Sequence, residues 1–235
     1  MADTIFFCPD ILQNPQLPAP ESQHCVKVLR MKEGDQLVVT DGNGSFFHCT
    51  LVQTHPKHCL VSIQSEVKQE KSWDFKIHIA FAPTKSMDRN EWFTEKATEI
   101  GIDRFTPLLC RYSERKELKH ERLQKIIVSA MKQSQQAFLP ALDEMTRFEE
   151  FVMQSFEGQK FIAHCHPSEK NSLAKTYQKT KNALILIGPE GDFSEEEVQQ
   201  AIHRGFTPIS LGENRLRTET ACVAACHTIH VINQL

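Results

Sequence analysis

Over the first seventy residues apolar positions come in short β-branched and aromatic runs broken by turn residues. Residues 36–42 (QLVVTDG) and 45–54 (SFFHCTLVQT) flank Asp41-Gly42-Asn43-Gly44. Asp-Gly or Asn-Gly between two such runs marks a tight hairpin, because glycine accepts the positive φ that the turn needs. Residues 58–67 (HCLVSIQSEV) predict a third strand, and the polar stretch 67–74 (VKQEKSWD) a linker near residue 70.

From residue 76 the rhythm changes to alternating strands and helices. Strands are expected at 76–83 (KIHIAFAP), 105–110 (FTPLLC), 160–165 (KFIAHC), 182–188 (NALILIG) and 207–212 (TPISLG). The run at 182–188 is almost wholly apolar, as a parallel strand buried on both faces must be. Helical spacing covers 87–101, stopping at Gly101, about 119–136, stopping before Pro140, 194–205, and 218–233. The third of these opens with Ser194 and Glu197, a capping box, and closes at Gly205. Strand–helix alternation predicts an α/β fold with a mostly parallel sheet and helices on both faces. The expected domains are therefore 1–70 and 74–235.

Composition narrows this little. The chain has 235 residues, 40% hydrophobic and 24% charged, enough apolar content for a real core. It has no apolar run long enough for a membrane helix, and the start MADTIFFCPD lacks the pattern of a signal peptide, so a cytoplasmic protein is expected. A net charge of −3 does not advertise nucleic-acid binding, but a local basic face suffices for it. Residues 111–125 hold six Lys/Arg against three Glu, readable either as such a face or as a solvated helix with balanced charges. The eight cysteines include no CxxC pair and read as structural or incidental. Cys222, Cys226 and His230 share one helix face and read as a buried or interfacial stripe; His164-Cys165-His166 reads as a strand end. No metal is expected.

Candidate chemistry lies in two segments that follow predicted strands. Leu186-Ile187-Gly188-Pro189-Glu190-Gly191-Asp192 is a Gly-Pro-x-Gly loop at the carboxyl end of the buried strand, either a ligand cradle or a tight turn. Leu211-Gly212-Glu213-Asn214-Arg215-Leu216-Arg217-Thr218-Glu219-Thr220-Ala221 leaves a strand through glycine and enters a helix. Its Arg, Thr and Glu residues either carry chemistry or reduce to Thr218 as an N-cap with Glu213 and Glu219 as solvated charges. Neither segment is a nucleotide phosphate loop, since GxxxxGK[ST] and GxGxxG do not occur.

Together these segments resemble the trefoil-knot (SPOUT) methyltransferases, and more narrowly the ribosomal RNA small subunit methyltransferase E family. The resemblance runs nearly end to end: His24-Cys25-Val26-Lys27-Val28-Leu29-Arg30 with Gly34-Asp35, Lys85 with 95–101 (EKATEIG), Gln133-Ser134, IGPEG and LRTETA, in that order. Departures are Asp192, where the family usually reads glycine, Asn214-Arg215 in place of Arg-Ile, and Lys132 and Gln136 in place of Glu and Arg.

The resemblance implies a knotted α/β domain behind a small N-terminal PUA-like β-barrel. It implies methylation of N3 of a specific uridine in 16S ribosomal RNA of the small subunit, with S-adenosyl-L-methionine as donor and a homodimer as the working form, a step of rRNA processing and ribosome biogenesis. Donor binding falls on Ile187, Gly188, Pro189, Glu190, Gly191, Leu211, Gly212, Asn214, Leu216, Arg217, Thr218, Thr220 and Ala221. Arg217, Glu190 and Thr220 are the catalytic candidates, Glu190 either removing a proton or orienting its loop. RNA contacts fall on His24, Lys27, Arg30, Lys85, Arg111 and Arg115. Ala221, Ala224 and Ala225 of the last helix are interface candidates. Three other readings stand beside this one: a knotted methyltransferase acting on another RNA atom, such as a ribose 2′-hydroxyl or a different base, a catalytically silent RNA-binding or assembly factor, and a small-molecule α/β enzyme, which would need neither barrel nor RNA.

Overall fold

The structure, a computed structural model, describes residues 4–235. The chain divides into two compact units: the chain up to Trp73 together with Val128–Leu139, and Asp74–Ile127 with Pro140–Leu235. A boundary near residue 70 alone leaves 128–139 in the second unit; here that segment packs with the first. Specific bonds hold it there. Ala137 N–H donates to Gln69 Oε1 at 2.6 Å, Gly44 N–H donates to the Ala137 carbonyl at 2.9 Å, and Lys132 pairs with Glu21 at 2.5 Å. Gly44 has φ +105°, and a Cβ on it would stand 2.7 Å from the Phe138 ring, so both turn and packing require glycine there.

In the first unit β1 (Ile5–Phe7) pairs in parallel with β2 (Gln36–Thr40), and β2, β3 (Ser45–Gln53) and β4 (Leu60–Lys68) form an antiparallel meander. The predicted hairpin joins β2 to β3, with Thr40 opposite Phe46 and Asp41 Oδ1 accepting from the amides of Asn43 and Ser45. Between β1 and β2 a short helix, α1 (Ala19–Gln23), widens into one π-helical turn over His24–Val28. Alternation sends Leu37 and Val39 of β2 and Phe47, Cys49 and Leu51 of β3 inward, where they meet Phe6, Ile11 and Leu17. Cys8, Cys25, Cys49 and Cys59 belong to this core, and burial raises the thiols of Cys25 to about 12 and Cys49 to about 11. They act as small hydrophobes.

The second unit follows the alternating pattern. Its elements are β5 (Ile77–Phe81), α2 (Met87–Ile100), β6 (Arg104–Leu109), α3 (His120–Gln133), β7 (Ala141–Leu142), β8 (Thr146–Arg147), α4 (Phe148–Phe151), β9 (Gln159–Ala163), β10 (Asn171–Ser172), α5 (Leu173–Thr176), β11 (Ala183–Ile187), α6 (Glu195–His203), β12 (Thr207–Ser210) and α7 (Thr218–Gln234). The last residues of α3 belong to the first unit. Pairing is parallel throughout, in the order β10-β12-β9-β11-β5-β6-β7, with β8 also on β6.

All of β11 is buried, because helices cover both faces. Leu184 and Leu186 face Phe148 and Phe151 of α4 and Val198 and Ala201 of α6. On the opposite face Phe81 of β5 meets Phe93 of α2 and Phe93 meets Phe105 of β6, with ring centroids 4.8 and 5.5 Å apart, and α7 packs on α2, β5 and β11. Helix ends match the sequence signs. The Ser194–Glu197 capping box is formed, and Gly101 caps α2 at φ +113°.

The basic stretch 111–125 differs from the solvated helix considered for it. Residues 111–119 are irregular and α3 starts at His120, because Ser113 and Arg115 tie the backbone locally: Ser113 Oγ accepts from the Cys110 amide, and Arg115 donates to the Thr84 and Lys85 carbonyls. Among the described residues no helix is long and apolar enough to cross a membrane.

Candidate active site

With every strand of the second unit parallel, the carboxyl ends of β9, β11 and β12 lie along one edge, beside the start of α2. Segments from these four places surround a cavity of about 650 Å³, within the range of ligand sites. Brought together are the loop after β9, the Ile187–Asp192 loop after β11, the Leu211–Arg217 loop after β12, and Arg89 on the first turn of α2. Loops converge at this edge in open α/β sheets, and helix N-termini point into it.

The first loop is fixed from three sides. A Cβ on Gly188 would lie 3.0 Å from the Phe193 ring, so glycine lets that buried ring close against the backbone. Glu190 is exposed, and its Oε1 accepts the Lys85 N–H at 2.9 Å. It thereby ties the loop to the segment after β5. Asp192 has φ +68°, in the left-handed region, and its two carboxylate oxygens accept the amides of Cys165 (2.7 Å) and Phe193 (2.8 Å). A short polar side chain is the usual alternative to glycine in that conformation, which accounts for the departure at this position.

The second loop leaves β12 through Gly212, at φ +141° with open space where a Cβ would stand. It is pinned to the first loop twice: Arg215 Nη2 donates to the Glu190 carbonyl at 3.3 Å, and Thr218 Oγ1 donates to the Gly188 carbonyl at 3.0 Å. Thr218 is therefore not the N-cap of α7. Arg217 holds that place, without a side-chain cap bond, so no side chain of the cap residue occupies the first amides of the helix.

Most of the expected donor-binding residues meet here. Ile187, Gly188, Pro189 and Glu190 line the cavity from one loop, Leu211, Gly212, Asn214 and Leu216 from the other, and Arg217, Thr218 and Ala221 from the start of α7. Gly191 and Thr220 do not line it. Gly191 lies against Tyr112, where a Cβ would be 3.1 Å from that residue's own Cβ, and Thr220 is exposed on the first turn of α7.

Glu219, Arg89, His164 and Lys170 also line the wall. Glu219 is buried, not solvated, with Oε1 3.6 Å from Arg89 Nε and with Oε2 shielded and unpartnered. His164 is 8% exposed; burial, and then the nearby Lys170 ammonium, push its imidazole down to about 4. Lys170 bonds the His166 carbonyl, and His166 Nε2 lies 2.7 Å from the Phe193 carbonyl. The His164-Cys165-His166 triplet does sit just past a strand end, but past the carboxyl end of β9, the edge where a site is expected. That placement is the signal that could have found it.

The expected RNA-contact residues fall in two groups. In the first unit Lys27 and Arg30 are exposed, Arg30 at φ +55°, while His24 is half-buried with its ring edge-on to Phe6. In the second unit the three cations have partners: Lys85 with Glu114 at 3.1 Å, Arg111 with Glu196 at 3.1 Å, and Arg115 with the Thr84 and Lys85 carbonyls. Of the small residues offered as an interface on α7, Ala221 and Ala225 are already buried and only Ala224 is half-exposed, because that face of the helix packs within its own unit. Cys222 and Cys226 are fully buried with raised thiols, and His230 Nε2 lies 2.6 Å from the Gly101 carbonyl.

Known proteins share this arrangement. Residues 71–230 match the RNA methyltransferase domain, and residues 17–64 match the RNA methyltransferase PUA domain. The crystal structure of a probable rRNA-methyltransferase from Porphyromonas gingivalis superimposes with a TM-score of 0.92 at 41% identity, over 98% of each chain. A ribosomal RNA small subunit methyltransferase E from Neisseria gonorrhoeae, bound to S-adenosyl methionine, gives a TM-score of 0.86 at 26% identity over 97% of each chain. The protein of the same description from Buchnera aphidicola is 30% identical over 87% of this chain and 83% of its own. The order of motifs and these matches agree: the chain belongs to the ribosomal RNA small subunit methyltransferase E family, with an RNA methyltransferase domain behind a PUA domain.

Proposed function

We propose that this chain transfers a methyl group from S-adenosylmethionine to N3 of a specific uridine in 16S ribosomal RNA of the small subunit. One observation carries the reading: the two hydrogen-bonded loops, 188–192 and 211–217, enclose a cavity at the carboxyl edge of the sheet. They do so in a chain that aligns end to end with a relative bound to that donor. The choice of uridine N3 follows from the His24–Arg30 segment and the ordered motifs, which resemble the uridine-N3 family.

The residues present fit the donor. Backbone of Ile187–Pro189 and Leu211–Gly212 offers peptide groups to an adenosine, the open space beside Gly212 leaves room for a flat ring, and the unpartnered Glu219 Oε2 calls for a cationic donor group. When bound, S-adenosylmethionine supplies a methyl group already electrophilic on its sulfonium. What remains for the protein is the acceptor, since an imide N3–H is neutral at pH 7 and is hidden in a base pair. The base must leave the stack, be aligned with the methyl, and lose its proton. Arg217, exposed at the cavity mouth, stabilises the negative charge that develops on O2 or O4. Glu190 holds its loop through the Lys85 amide, and Thr220 lies just outside the wall on the first turn of α7.

On the same reading the 188–192 and 211–217 loops belong to a trefoil knot, and the four-stranded first unit is a PUA-like barrel that receives RNA through Lys27 and Arg30. The working form is a homodimer, acting in the cytoplasm on the small subunit.

Nucleoside mass spectrometry of small-subunit RNA from cells lacking the gene tests this. We expect 3-methyluridine to be missing and to return when the purified protein and S-adenosylmethionine are added. Loss of a different modification would point to another RNA atom, and loss of none to a silent RNA-binding factor.

A further inference from the structure

We propose that Glu219 and Arg89 form a charge pair that grips the zwitterionic amino-acid end of the methyl donor, Glu219 taking its ammonium and Arg89 its carboxylate. The inference rests on the cavity being the S-adenosylmethionine site, and it gives a role within that site to Glu219 of the second segment and to Arg89, which lies outside both segments.

Four acids line the cavity: Glu190, Asp192, Glu213 and Glu219. Glu190 and Glu213 are exposed, and Glu190 already accepts the Lys85 amide. Asp192 has both oxygens engaged by the amides of Cys165 and Phe193. Glu219 is different. It is 9% exposed, one of its oxygens stands 3.6 Å from Arg89 Nε, beyond hydrogen-bond length, and the other is shielded with no partner at all. A buried carboxylate left half satisfied is costly, and at the wall of a ligand-sized cavity a bound group can complete it.

The completing group must be a cation with several donors and small enough to enter beside Arg89. A primary ammonium has three N–H donors on a compact head. Arg89 gives the opposite half of the match. Its side chain is 41% exposed, and a guanidinium offers five donors, of which Nε faces Glu219. The start of α7, which has no side-chain cap bond, also lines the cavity, and helix N-termini favour anions such as a carboxylate. An acid and a base of this kind, one buried and one at the rim, match an α-amino acid. A phosphate or a neutral ring would leave Glu219 unanswered.

Calorimetric titration of the full-length protein with three ligands tests the pair. S-adenosylhomocysteine keeps the amino-acid end and lacks the sulfonium, 5′-methylthioadenosine lacks the amino-acid end, and S-adenosylmethionine has both. We expect Glu219→Gln to weaken S-adenosylhomocysteine by about tenfold or more while 5′-methylthioadenosine stays within about twofold of the wild type. Arg89→Met should show the same selectivity, and as a change at a partly exposed side chain it remains informative if Glu219→Gln folds poorly. Equal weakening of S-adenosylhomocysteine and 5′-methylthioadenosine in both variants would overturn the assignment in favour of a purely structural link between α2 and α7. A loss seen with S-adenosylmethionine but not with S-adenosylhomocysteine would overturn it in favour of a sulfonium contact. Wild-type protein that binds none of the three would remove the donor reading itself, and the pair with it.

Discussion

Thr218 donates through its hydroxyl to the Gly188 carbonyl at 3.0 Å, and this bond joins two loops thirty positions apart in sequence. Both partners are buried, so water cannot replace either one. Thr218→Val keeps the shape and removes the donor, which leaves a buried carbonyl unpaired. The expected cost is about 1–3 kcal/mol of stability, together with weaker donor binding, while Thr218→Ser retains most of both. Denaturant unfolding beside calorimetry on the three proteins checks this. Equal stability of the valine and wild-type proteins would mean that the bond contributes nothing.

Asp192 carries two separable contributions, its left-handed backbone at φ +68° and its bonds to the amides of Cys165 and Phe193. Asp192→Gly relaxes the backbone and loses the bonds, whereas Asp192→Ala keeps the strain and loses the bonds as well. The alanine variant is therefore expected to be the less stable of the two by about 1 kcal/mol, measured as a difference in urea midpoints.

How far the sequence reveals this site depends on the kind of signal each residue leaves. The apolar run of β11, the Asp-Gly-Asn-Gly hairpin and the Ser194–Glu197 box leave periodic or short-range signs, and each element is found where those signs put it. The two loops are legible because glycine and proline mark them. Arg89 leaves no such sign, and Glu219, although it lies within the LRTETA segment, reads there equally well as a solvated charge. Each is a charged residue on a helix, and only the packing of α2 against α7 makes one buried and brings the pair to 3.6 Å. Val128–Leu139 is equally silent, since the first half of α3 and the segment that returns to the first unit share one continuous helical pattern. Thr218 looks like a cap because caps are recognised locally, and the Gly188 carbonyl that takes its hydroxyl is a long-range partner.

Two histidines make stability depend on acid pH. Burial holds His164 and His78 at about 4, against about 6.5 for an unperturbed imidazole. His164 is faced by Lys170 and His166, which deepen the shift, and by Asp192, which opposes it; Arg104 and Asp143 play those parts at His78. Both rings are neutral in the fold and take protons more readily in the unfolded chain. Their contribution is complete above about pH 6.5 and is lost as pH falls towards 4. Each adds a slope approaching 1.4 kcal/mol per pH unit inside that window. Urea unfolding at pH 7.5, 6 and 5 should show the loss, and His164→Gln should remove about half of the slope between pH 6 and 5. An unchanged slope in that variant would exclude His164 as a source.

Basic residues of the two units should respond differently to salt. Lys27 and Arg30 are exposed, so Lys27→Met and Arg30→Gln are each expected to reduce the slope of log affinity for small-subunit RNA against log salt by about 0.7–1. Arg115 spends its guanidinium on the Thr84 and Lys85 carbonyls, beside the amide that Glu190 accepts. Arg115→Met should leave the RNA salt slope unchanged while lowering the melting temperature and weakening the donor. A fall of about one in its slope would instead count Arg115 among the phosphate contacts.

Cys165 differs from the other seven cysteines in being exposed, and it lies on the cavity wall next to His164. Thiol reactivity follows access and thiolate content, and burial denies both to thiols such as Cys110, Cys222 and Cys226, which it raises. A disulfide reagent such as dithionitrobenzoate should therefore react fast with one thiol of the native protein and with all eight only after denaturation. Because Cys165 borders the site, saturating S-adenosylhomocysteine should slow that one reaction, and Cys165→Ser should abolish the fast phase without loss of donor binding. A fast phase that persists in Cys165→Ser would show that a buried thiol becomes accessible through local opening. Protection by ligand that is absent while calorimetry shows binding would place the ligand away from the β9 side of the cavity.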